Sequence, residues 1–120
     1  MDQREIALLA AKALDDKRGK DITVLKVDEM TVITDYMVIV TGRSVPQVKA
    51  LADNVEEELI QADCDAKRRE GYTEGRWCVL DYGDVMVHVF HEQDREYYQL
   101  ERLWADGTNE VQVDYDAEEA

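Results

Sequence analysis

Apolar positions recur along this chain first with a helical period and then with a period of two. Ile6, Leu9, Ala10, Ala13 and Leu14 form one stripe and predict a helix over residues 3–18, stopped at Gly19. "DITVLKV" (21–27) reads as a strand. "ITDYMVIVTG" (33–42) is apolar at every position from Tyr36 to Val40, as in a strand covered on both faces. A second helical stripe follows in Val45, Val48, Ala52, Val55 and Leu59, opened by Ser44 and Gln47 in capping-box spacing with Pro46 in the first turn. "DAKRREG" (65–71) predicts a short, charged edge strand. Two further strands flank Gly83-Asp84, and "EQDREYYQLERLW" (92–104) predicts a closing helix. The order α-β-β-α-β-β-β-α implies an α/β (α+β) domain over residues 1–104. Its mixed sheet has about five strands, with helices mainly on one face. Residues 105–120 hold six acids and no Lys or Arg, the pattern of a mobile acidic tail.

The Gly83-Asp84 pair sets a register. With a two-residue turn, Tyr82 opposes Val85, Val79 opposes His88 and Trp77 opposes Phe90. Alternation then sorts the hairpin. Cys78, Leu80, Tyr82, Val85, Val87 and Val89 make the better core face. Trp77, Val79, Asp81, Met86, His88 and Phe90 make a second face that mixes aromatics with an acid and a histidine. That composition matches the centre of an interaction surface. If a helix or the tail covers it, Trp77 is ordinary core.

Charge narrows the function. Twenty-eight acids against fourteen basic residues leave −14, and the only compact basic run, Lys67-Arg68-Arg69, is followed by Glu70. Nucleic-acid affinity needs clustered cations, so direct binding is not expected. A basic protein partner fits better. No stretch of eighteen apolar residues occurs and the N-terminus lacks a signal-peptide pattern, which reads as cytosolic. Cys64 and Cys78 have no zinc-ligand spacing and are expected as reduced thiols.

Two chemistries compete with simple binding. His88 and His91 lie three apart, so a continuous strand points them to opposite faces, and no metal site is expected. Asp84 serves the turn, and His88 reads as a sheet histidine before a proton shuttle. The alternative is a nucleotidyltransferase-like enzyme binding nucleotide and Mg²⁺. Gly42 and Ser44 at a helix start and the pair Asp63 and Asp65 would then be its site.

The stretches "TDYMVIVTG", "W-x-x-L-D-Y-G-D-V-x-V-H-x-F" and the last helix resemble the ribosomal silencing factor family, also called Iojap-like, over residues 4–104. The resemblance implies a nucleotidyltransferase-like fold without catalytic acids, and therefore no enzyme and no cofactor. It also implies binding to the large ribosomal subunit through its protein uL-fourteen, steric exclusion of the small subunit, repression of translation, and homodimers when free. Carried onto this chain, it puts partner contacts at Trp77, Leu80, Asp81, Tyr82, Asp84, His88, Arg95 and Tyr98. Leu100 belongs to the same helix motif. Trp77 is the expected aromatic anchor, with Asp81 and Asp84 facing basic groups. Leu80 and Tyr82 conflict with the alternation, which puts them on the covered face.

Overall fold

A computed structural model describes residues 1–116, so the last four residues of the acidic tail, 117–120, lie outside the described residues. Nine elements follow in order: α1 (Gln3–Asp16), β1 (Lys20–Lys26), β2 (Tyr36–Gly42), α2 (Val45–Gln61), β3 (Arg68–Glu70), β4 (Trp77–Asp81), β5 (Val85–His91), α3 (Glu92–Tyr98) and α4 (Leu100–Trp104). The strands form one mixed sheet in the order β1-β2-β5-β4-β3. Only β2 and β5 run parallel, joined through α2 and the β3–β4 hairpin.

The hairpin register is the expected one: Trp77 opposes Phe90, Val79 opposes His88, and the Tyr82 N–H donates to the Val85 carbonyl at 2.9 Å. All seven residues of β2 are buried, because β1 and β5 pair with its two edges and side chains cover both its faces. On one face Val38, Val40, Leu80, Val87 and Val89 pack under α1 and α2. Apolar burial at roughly 25 cal/mol per Å² makes this the main source of stability. On the other face a smaller cluster, Leu25, Val27, Met37, Ile39 and Phe90, lies under Leu100, Trp77 and Trp104. The helices are therefore mainly, not wholly, on one side.

Local chemistry explains the helix limits. At α1 the Asp2 carboxylate accepts the Glu5 N–H at 2.8 Å and Glu5 reaches back to the Asp2 N–H, a full capping box. Arg18, not Gly19, takes the left-handed turn after α1 (φ 61°). Gly19 is there for space: a Cβ on it would stand 2.6 Å from Val40 Cγ2. In α2, Ser44 Oγ accepts the Gln47 N–H at 3.2 Å, while Gln47 Oε1 accepts from Arg43 rather than from Ser44.

Two expectations about the C-terminal part change. The single helix over 92–104 is broken at Gln99, which sits at φ 51°, ψ 49°. The break lets Arg95 reach the β1–β2 end of the sheet while Leu100 turns down onto Phe90's cluster. Residues 109–115, expected in a free tail, are docked on the domain, and 109–111 pair with the open edge of β1. The Lys26 N–H donates to the Asn109 carbonyl and the Val111 N–H to the Val24 carbonyl. Asn109 Nδ2 also donates to the carbonyls of Lys26 and Trp104, tying β1 to the end of α4. Val111, Val113 and Tyr115 pack against the α1–α2 core. Among the described residues no helix is long and apolar enough to cross a membrane.

Candidate protein-binding face

The β4–β5 hairpin presents its second face between α3–α4 and the short edge strand β3. Trp77 is half-buried there, its ring stacked on Phe90 at 4.8 Å and tilted against Tyr98 at 4.9 Å. Its indole N–H is spent inside the protein, donating to His88 Nδ1 at 3.1 Å. What Trp77 offers outward is apolar ring surface. Tyr98 is half exposed beside it, and Leu103 on α4 is largely exposed. Toward the turn, Val79, Asp81 and Met86 line a shallow depression with Arg68 and Glu70.

The acids of this face differ in freedom. Asp81 Oδ1 accepts the Gly83 N–H at 2.8 Å and so fixes the turn, while Oδ2 pairs with Arg68 at 3.3 Å. Arg68 is mostly exposed, and such an exposed pair is worth little, so a cation from a partner can replace it. Asp84 is exposed, and its carbonyl accepts from both Asp35 and Tyr36.

His88 is buried. Because Nδ1 accepts from Trp77, the neutral ring carries its proton on Nε2, which is buried without a hydrogen-bond partner among the described residues. Burial lowers its pKa to about 4, so near neutral pH it neither carries charge nor relays protons. Its service to the face is to hold Trp77. His91, three residues on, ends β5 and caps α3, its Nδ1 accepting from the Gln93 N–H.

Other residues expected at the contact lie off this face. Leu80 is wholly buried and Tyr82 nearly so, both under α1 and α2, as strand alternation requires and the motif alone does not show. Arg95 also turns inward, its side chain 11% exposed. It donates to the Asp21 carbonyl at 2.6 Å, to Thr41 and Thr23 hydroxyls at 3.2 Å each, and to Glu101 at 3.4 Å. It is a cross-link between α3–α4 and the sheet. Leu100 is buried too. Arg95→Ala should lower the urea midpoint by an amount worth about 2–4 kcal/mol, with little change in slope. Unchanged stability together with lost partner binding would instead make Arg95 a contact.

The nucleotide–Mg²⁺ arrangement does not assemble. Gly42 and Ser44 precede α2, whereas Asp63 and Asp65 follow it; at 1.5 Å rise per residue the helix holds the two pairs roughly 25 Å apart. Ser44 Oγ is already used as the cap. Among the described residues no three His, Cys, Asp or Glu side chains group as metal ligands. Cys64 and Cys78 are unpaired, and burial raises the Cys78 pKa to about 11, which makes it a packing residue. A cavity of about 590 Å³ lies between the start of β1 and α3–α4. Charged side chains such as Lys20, Glu92, Glu96 and Arg102 line it, and it lacks the apolar floor of a small-molecule site.

The family model described as "Ribosomal silencing factor during starvation" matches residues 1–120. The ribosomal silencing factor RsfS of Bacillus subtilis is 42% identical over 106 residues, covering 88% of this chain and 90% of that protein. The RsfS of Chromobacterium violaceum is 43% identical over 104 residues, covering 87% and 85%. A crystal structure of a Chromobacterium violaceum protein superposes with a TM-score of 0.86 at 40% identity, covering 97% of each chain. With the family model matching end to end and the fold agreeing with a solved structure, this chain belongs to the ribosomal silencing factor (RsfS, Iojap-like) family, a family of ribosome-silencing proteins and not of enzymes.

Proposed function

We propose that this silencing factor binds the large ribosomal subunit through its protein uL-fourteen and occupies the surface the small subunit needs, so that joining is blocked and translation is repressed. The observation that carries the reading is the Trp77–Tyr98 aromatic face on a domain of net charge −14. An apolar anchor within an acidic surface favours a basic ribosomal protein and is repelled by the surrounding RNA phosphates. Trp77, Tyr98, Asp81 and Asp84 make the contact; His88 and Arg95 position it. No cofactor takes part. The protein works in the cytoplasm, where the ribosomes are, and is a homodimer when free.

Sucrose-gradient sedimentation of purified small and large subunits, with and without the protein, tests this. Co-sedimentation with the large subunit and depletion of the joined particle is the expected result. An undisturbed joined particle, with the protein left at the top of the gradient, would overturn it.

A further inference from the structure

The loop between β1 and β2 carries the most exposed large apolar residue among the described residues, Val32, with a second exposed one, Ile33, beside it. Val32 is 104% exposed and Ile33 72%. Single exposed aliphatics are ordinary, but two adjacent β-branched residues held out on a fixed loop are not. This loop is fixed. The Val27 N–H donates to the Asp35 carbonyl at 2.8 Å, and the Val27 carbonyl in turn accepts from Met30 and Thr31. The Ile33 N–H donates to Thr31 Oγ1 at 3.1 Å, and buried Thr34 donates to the Tyr36 carbonyl. A tip ordered before binding loses little conformational entropy when it is buried by a partner.

The same loop is joined to the hairpin that carries the binding face. The Asp35 and Tyr36 N–H groups donate to the Asp84 carbonyl at 2.9 and 3.0 Å, and Met30 Sδ lies 3.8 Å from the Asn109 amide that holds the end of α4. From Phe90, opposite Trp77, down β5 to Val85, across to Tyr36 and back to Ile33 is roughly eight residue steps, about 25 Å of extended chain. An ordinary interface of about 800 Å² per partner is about 30 Å across, enough to cover both ends. Asp28, Glu29, Asp35 and Asp84 flank the tip and outnumber the nearby cations Arg4 and Lys26, so its surround is net acidic, as the whole domain is.

We propose that Val32 and Ile33 are a second apolar anchor for the same basic protein partner, seated at the opposite end of the face from Trp77. This rests on the large-subunit reading above. The test is co-sedimentation of the full chain with purified large subunits, comparing wild type, the double variant Val32→Ser/Ile33→Ser, and Trp77→Ala. Both loop side chains are exposed, so the double variant should keep the wild-type thermal transition while binding about tenfold more weakly. Wild-type affinity in the double variant, with Trp77→Ala impaired, would overturn the second anchor and leave the large-subunit reading standing. Wild-type affinity in both variants would overturn both anchors, and a wild-type chain that does not co-sediment would overturn the large-subunit reading itself. A changed mass of the free double variant in analytical ultracentrifugation, with subunit affinity intact, would assign the tip to a second copy of this chain and equally overturn the proposal.

Discussion

Trp77→Ala is expected to weaken binding to the large subunit by about thirtyfold or more, while the domain stays folded. The size follows from what the ring does. Its polar atom is already satisfied by His88, so contact with a partner buries aromatic surface without stranding a donor. Truncation removes that surface and also the stacks on Phe90 and Tyr98, which frees Tyr98 to move. Because the ring is only half-buried, the loss of stability should be about 2 kcal/mol, below the 3–5 of a fully buried aromatic and within the margin of a typical domain. Urea melts beside binding curves separate the two effects. Trp77→Phe adds a second reading: it keeps a ring on Phe90 but leaves His88 Nδ1 without its donor. Partial binding by the Phe variant and almost none by the Ala variant supports an aromatic anchor. Wild-type binding by a folded Ala variant would place the contact elsewhere, and an Ala variant that unfolds leaves the Phe variant to decide.

The parts of this fold that follow from periodicity were legible in the chain. Gly83-Asp84 specifies a two-residue turn, the turn specifies the register, and the register assigns every hairpin side chain to a face. Alternation therefore placed Leu80 and Tyr82 in the core correctly, although they belong to the same contiguous motif as Trp77 and Asp81. A motif on a strand is never one surface, since half of it points away. What periodicity cannot show is set by distant contacts. Gln99 is an ordinary helix residue, yet it takes a left-handed conformation because Arg95 and Leu100 must reach different parts of the sheet. The tail reads as solvent-loving by composition, but Val111, Val113 and Tyr115 alternate with polar residues and pack against the α1–α2 core, while the bare edge of β1 pairs with residues 109–111. The Trp77–His88 hydrogen bond joins diagonal positions across two strands, which follows from the register only once the ring orientations are known.

Acidification from about pH 6.5 to pH 4 is expected to cost the domain about 3 kcal/mol through His88 alone. In the unfolded chain this imidazole has its ordinary pKa near 6.5; in the fold, burial lowers it to about 4. Between those values the unfolded state binds a proton that the folded state refuses, so stability falls as pH falls, and the loss is complete below the folded pKa. The groups around the ring are Trp77, Phe90, Val79 across the strand pair and Ile39 on β2, none of which offers a carboxylate to hold the cation. Protonation at Nδ1 would also set two donors, the imidazolium and the Trp77 indole N–H, against each other. Carboxylates titrate in the lower half of the same range, so the informative quantity is a difference. Urea unfolding of wild type and His88→Asn at pH 7, 6, 5 and 4 should give curves that converge on acidification, because Asn retains an acceptor for Trp77 and cannot be protonated there. Curves that stay parallel would show that His88 is not held neutral by the fold. At pH 6 to 8 the folded histidine stays uncharged throughout, so the Trp77 anchor, and the binding that depends on it, should not vary with pH through this group.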